Sequence, residues 1–239
     1  MWILNLFLLF TAIAGVYTGA QPWFRFDRLN KTNVLNGTLI TLSVFTLLMV
    51  LYVLGFFPQS IAAPFMMVLY SFLGGFFFGY AVRLYNLRKE SGYVLYQHRS
   101  FWVDHAPNLL ALGIILFGIF RTAVLTDQII TGIRVTSGLS MICFGLFTWT
   151  LKAVPEFRSK GVILLDRYIL WEEVISWRWI GEDILGIEYL VEEEKTEDRI
   201  KEFTTTIPEI ERKEIEMILK SKMDEYFEER KKRLLDQED

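Results

Sequence analysis

Five stretches within the first 151 residues are apolar over about the length of a bilayer crossing, and no other feature constrains the chain more. A helix that spans the hydrocarbon core needs about 20 mostly apolar residues. The runs at roughly 2–20, 34–57, 61–82, 108–126 and 129–151 each supply that length. The first, WILNLFLLFTAIAGVYTGA, has no basic residue ahead of its apolar core. Secretory signals normally begin with one, so a retained helix is expected. The third contains FLGGFFFGY, with Gly74, Gly75 and Gly79. Small residues let helix backbones approach closely in lipid, and glycine is also frequent in membrane helices generally.

Basic residues set the orientation. Arg25, Arg28 and Lys31 follow the first run, Arg83, Arg88, Lys89 and Arg99 follow the third, and Lys152, Arg158 and Lys160 follow the fifth. The opposite side has only Arg121 and Arg134. Cytoplasmic loops carry the excess of Lys and Arg, so the N-terminus is expected outside and the C-terminal part in the cytoplasm. Five crossings put the two ends on opposite sides, which agrees.

Charge and periodicity change together near Lys152. Residues 1–151 hold nine Lys/Arg against four Asp/Glu, whereas residues 152–239 hold sixteen against twenty-four. The expectation is a transmembrane helical domain over 1–151 and a cytoplasmic α+β domain over 152–239. The acidic half disfavours nucleic acid, whose phosphates need a basic surface. It also disfavours an anionic leaflet, which repels acidic groups. The single cysteine, Cys143, excludes an intramolecular disulfide and a cysteine-based zinc cluster.

Polar residues in the helical half give few sites. Arg134 is expected about a turn and a half inside the fifth run, with Asp127 available two helical turns earlier and Arg121 nearby; a charge at membrane depth is costly and commonly paired. The favoured reading is that Arg134 snorkels to the outer interface, and the alternative is that it is buried and paired with Asp127. No carboxylate lies near the middle of an apolar run, which weighs against ion-coupled transport. His98, Asp104 and His105 in the third connection match no metal-site spacing and lack a third nitrogen or sulfur ligand. That connection is expected to lie at the headgroup level, with Tyr93, Tyr96, Phe101 and Trp102 as interfacial rings.

After Pro155 the pattern becomes that of strands. GVILLD and YILWEEV are short branched runs, VISWRWIG puts Ile175, Trp177 and Trp179 on one face, ILGIEYLV puts Ile187, Tyr189 and Val191 on one face, and RIKEFTTTI follows. Four or five antiparallel strands are expected. A helix is predicted from Pro208 to about Leu235, roughly 40 Å at 1.5 Å per residue, with its charged end DEYFEERKKRLLDQED projecting beyond the sheet. An antiparallel sheet can bury one face under such a helix. Trp171 and at least one of Trp177 and Trp179 are expected in the core, since large rings fill a small core efficiently.

The order EFRSKGVILLDRYILWEEVISWRWIGEDILGIEY, then a strand, then IPEIERKEIEMILKSKM, resembles a family of uncharacterised bacterial domains often fused to membrane helices. These look like truncated pleckstrin-homology modules. The shared pattern is Arg158 and Gly161 before a strand, the step Trp171, Glu172, Val174, then Trp179 ending the next strand, with a C-terminal helix closing the unit. A full pleckstrin-homology fold has seven strands, more than are counted here. The resemblance implies a bacterial inner membrane, or another energy-transducing membrane, and assigns no catalytic residue.

The resulting expectation is a non-catalytic multi-pass protein without a cofactor or metal. Its module would bind a protein partner or a second copy, or scaffold an assembly, through Trp177, Trp179, Tyr226 and Phe227. The alternatives are a small anion transporter or channel using Arg121 and Arg134, and an enzyme using His98, Asp104 and His105.

Overall fold

A computed structural model of the chain describes residues 2–25, 31–98, 100–152, 154–191, 200–228 and 231, with the backbone alone for Lys31, Val103 and Asp104. They fall into two compact units. One comprises residues 1–86 and 101–151, the other residues 87–100 and 152–239.

The first unit is helical. Its elements are α1 (Trp2–Ala20), α2 (Lys31–Val53), α3 (Gln59–Glu90), α4 (Phe101–Asp104), α5 (Ala106–Arg121) and α6 (Gly132–Thr150). Among the described residues three helices are long and apolar enough to cross a membrane: α1, residues Thr32–Val53 of α2, and α3. The fourth apolar helix, α5, has 16 residues rather than the expected nineteen, because the chain leaves it at Thr122 and Ala123 takes a left-handed conformation, φ 64°. In contrast, α3 runs 32 residues, well past the expected end at 82. Its last turns, LRKE, are strong helix formers.

Backbone contact orders these helices. A methyl group added to Gly15 or Gly19 of α1 would meet Phe72 O at 2.3 Å or Phe76 O at 2.0 Å; on Gly75 or Gly79 of α3 it would meet Ala12 O at 2.1 Å or Val16 O at 2.2 Å. The two backbones therefore touch through reciprocal small-xxx-small faces, and the numbers rise together, so α1 and α3 are parallel. Aromatic pairs set α6 parallel to α3: Phe77 with Phe144 at 4.8 Å, and Tyr80 with Phe147 at 5.1 Å. α5 and α6 form an antiparallel hairpin, with Gly138 against Thr122 and Gly145 against Ile115.

The second unit is an α+β module. Among the described residues it has seven strands, not four or five: β1 (Val94–Gln97), β2 (Glu156–Arg158), β3 (Gly161–Leu164), β4 (Arg167–Leu170), β5 (Val174–Trp179), β6 (Ile184–Leu190) and β7 (Ile200–Thr206). They make two antiparallel sheets, ordered β1-β2-β3-β4 and β5-β6-β7. The extra count has two sources. EFR forms a strand of its own, and YVLYQ in the third connection forms β1, paired to β2 with Tyr96 opposite Phe157. Tyr96 is 7% exposed, so it is a core residue and not an interfacial ring. Tyr93, Phe101 and Trp102 are exposed.

One core joins both sheets to the last helix, α7 (Arg212–Glu225). Tyr96, Phe157, Val162 and Ile169 come from the first sheet, Leu185, Ile187, Tyr189 and Phe203 from the second, and Ile215 and Leu219 from α7. A single 3-10 turn, Trp171–Glu173, carries the chain from one sheet to the other. Trp171 is 1% exposed within it, and its Nε1–H donates to the Arg158 carbonyl at 2.9 Å. A register shift between Val174 and Ser176 lets fully buried Val174 and, three residues on, Trp177 face the same core.

The terminal helix starts later than predicted. Pro208 precedes a 3-10 turn over Glu209–Glu211, α7 begins at Arg212, and it breaks at Tyr226, which leaves helical geometry and packs on the core, while Phe227, Glu228 and Lys231 beyond it are again helical. The projecting tail lies mostly outside the described residues.

Replacing Trp171 with Ala removes the largest fully buried side chain and its hydrogen bond to the Arg158 carbonyl. The expected loss is about 3–5 kcal/mol, read as a fall in the module's unfolding midpoint in the purified full chain. An unchanged midpoint would place the ring outside the core.

Candidate functional site

The most elaborate polar arrangement in the module lies where β1 joins it. The chain leaves α3 through a turn at Gly92, whose φ of 83° and approach to Ser159 leave no room for a side chain; an added Cβ would sit 2.1 Å from Ser159 Oγ. Glu156, the first residue of β2, is 2% exposed. Its Oε1 accepts from Arg88 Nε at 3.3 Å, and its Oε2 accepts from Arg158 Nε at 2.9 Å and Nη2 at 2.6 Å. Arg158 Nη1 also donates to the carbonyls of Arg88 and Gly92, both at 2.8 Å. One guanidinium thus holds both ends of the turn that delivers β1, and the two half-buried cations compensate the buried carboxylate.

Beyond β1 a second cluster ties the strand to the approach of α7. The Tyr96 ring meets Phe157 edge-on at 5.8 Å. Its hydroxyl donates to Glu211 Oε2, and His98 Nδ1 lies 3.0 Å from the same oxygen. Glu211 and Glu214 line one wall of a cleft of about 290 Å³, and Val94, Leu95, Tyr96 and Gln97 line the other. Burial pushes the Glu211 carboxyl up, but the hydrogen bonds from Tyr96 and His98 and the charge of His98 together hold it below the usual carboxylate range. Burial, reinforced by Glu211, raises the Tyr96 phenol. Together these keep a proton on the phenol and a negative charge on the cleft wall.

The residues singled out from sequence lie elsewhere. Trp177 and Trp179 pack half-buried on the core, and the Arg212 guanidinium stacks 4.5 Å from the Trp179 ring. Tyr226 also packs on the core beneath Lys222, while Phe227 is exposed. Arg121 ends α5 and Asp127 lies exposed in the turn after it. Arg134 sits in the first turn of α6, not a turn and a half inside it, because the helix begins only at Gly132. Asp127 precedes that helix and so shares no helical face with Arg134, whose Nη1 donates to the Ile129 carbonyl at 3.3 Å. His98 faces Glu211, His105 precedes α5, and the Asp104 side chain lies outside the described residues.

Sequence reasoning missed Tyr96, Glu156 and Glu211. The first had a signal, an alternating run YVLYQ opened by a glycine. The carboxylates had none, since Arg88 lies 68 residues from Glu156 and Tyr96 lies 115 from Glu211, and the nearby Arg158 alone does not mark Glu156 as buried. The chain matches no family model, no curated protein and no solved structure, so these roles rest on geometry.

Glu211 yields a pH prediction. A carboxylate whose folded pKa is depressed adds stability above its unfolded pKa, about 4.3, and that stability is lost as pH falls through the lower folded value. The melting temperature of Glu211→Gln should lie below that of the unaltered chain at pH 7, and the gap should close as pH drops below about 4. A gap that stays constant down to pH 3 would remove Glu211 from this role.

Proposed function

We propose that the chain is an integral membrane protein with five crossings, whose cytoplasmic pleckstrin-homology-like module binds a protein partner, or a second copy, and scaffolds an assembly without catalysing a reaction. The observation that carries this reading is β1. A strand taken from between α3 and α5 pairs with one that follows α6, so both segments belong on the same side of any membrane. α5 and α6 must then cross as a pair or not at all. Their antiparallel hairpin supports the paired crossing, and parallel α1, α3 and α6 agree with alternating crossings.

Seven strands closed by a C-terminal helix support the pleckstrin-homology-like reading more fully than the truncated unit expected from sequence. The excess of Lys and Arg on the α1–α2, α3–α5 and post-α6 connections supports a cytoplasmic module and, with the resemblance, a bacterial inner membrane. Arg134 bonding to a carbonyl ahead of its helix supports an interfacial residue over a transport pathway.

Tags test the topology. An epitope inserted between Gly92 and Tyr93 and one after Asp239 should both resist external protease in intact cells, while one before Met1 should be cleaved. Opposite behaviour of the first two would contradict the shared side. Affinity purification in mild detergent should bring down a stoichiometric protein or a defined oligomer, and a monodisperse monomer with no companion would count against the scaffold reading.

A further inference from the structure

We propose that the outer edge of β1, facing Glu211 and Glu214, is a docking groove for an extended, basic segment of a partner protein. This rests on the partner-binding reading above and names its surface.

β1 is the outer strand of its sheet, hydrogen-bonded to β2 on one side only. Among the described residues no further backbone hydrogen bond reaches Val94–Gln97. A free edge presents a row of N–H and C=O groups that another extended chain can pair, and adding a strand to such an edge is a recurrent way of binding peptides. The edge does not face open solvent alone. It forms one wall of the cleft of about 290 Å³, and the opposite wall is acidic.

That wall decides the chemistry of the occupant. Tyr96 and His98 both use Glu211 Oε2, so Oε1 accepts no hydrogen bond from a described residue. Glu214, one turn further along, is exposed and has no ion pair among the described residues. Two carboxylates with unused oxygens across from an unpaired strand favour a peptide with lysine or arginine side chains. An anionic headgroup would be repelled. Val94, which lines the cleft, is exposed and offers apolar contact for a side chain of an added strand.

The test uses the full chain in nanodiscs of zwitterionic lipid and a fluorescein-labelled heptapeptide alternating lysine and valine, followed by anisotropy. Saturable binding is expected. Glu214→Lys should weaken it about tenfold, the size expected for loss of one close charge pair. Glu182→Lys makes the same change of charge in the exposed β5–β6 turn and should leave binding within about twofold. Methylating alternate backbone nitrogens of the peptide should abolish binding, because strand addition needs those N–H groups. Equal weakening by the two variants, or undiminished binding of the methylated peptide, would reduce the effect to net-charge attraction and overturn the groove. Equal binding of a glutamate–valine peptide would overturn its charge preference. Absence of peptide binding in a chain that still purifies with a companion protein would sink the groove and leave the partner reading standing.

Discussion

Glu156 is a carboxylate almost wholly withdrawn from water, held by two guanidiniums from different parts of the chain. A buried charge without a partner costs several kcal/mol, and removing one member of a buried pair typically costs about 3–5 kcal/mol. Arg88 and Arg158 are therefore bound to their positions as firmly as Glu156 is. Arg158 in turn holds the turn at Gly92 through two carbonyls and offers its own carbonyl to Trp171. From this one ion cluster follow the entry of β1 into the sheet, the burial of Tyr96 and Phe157, and the seat of the tryptophan that links the two sheets.

The consequence is a module whose sequence is discontinuous. Its strands come from residues 94–97 and from residues 156–206, with α4, α5 and α6 inserted between the first strand and the second. A hairpin that leaves and returns can be inserted into a fold without disturbing it, because its two ends are close together. The antiparallel packing of α5 on α6 through Gly138 and Gly145 provides that return. Within the helical unit, α1 and α3 rely on backbone-to-backbone contact at four glycines, the kind of packing available where no hydrophobic force draws helices together.

What could be read from sequence followed the range of the signal. Apolar runs of about 20 residues mark α1, α2 and α3 well, because the constraint is local and continuous. Alternation over VISWRWIG and ILGIEYLV gave β5 and β6 for the same reason, and the apolar spacing of Ile215 and Leu219 gave the buried face of α7. Ends were less legible. The stop of α5 depends on a left-handed Ala123, and the break after α7 on Tyr226 turning into the core, neither of which periodicity encodes. The strand VLYQ carried the right pattern, yet its four residues sit in a basic connection between apolar runs, where tyrosines also suit a headgroup zone. Long-range partners such as Glu156 with Arg88, or Tyr96 with Glu211, leave no trace in local periodicity. The pair Trp177 and Trp179 read as a candidate surface, but in the strand that follows the register shift at Val174 both pack on the core.

The central claim is that residues 87–100 are a structural part of the module formed by residues 152–239. The most direct measurement compares residues 152–239 alone with the same segment preceded by residues 87–100 on a flexible linker, by near-ultraviolet circular dichroism and thermal melting. Only the tethered form should show the signal of an immobilised Trp171 and a cooperative transition. If residues 152–239 alone give the same spectrum and the same melting temperature, β1 is dispensable and the account is wrong.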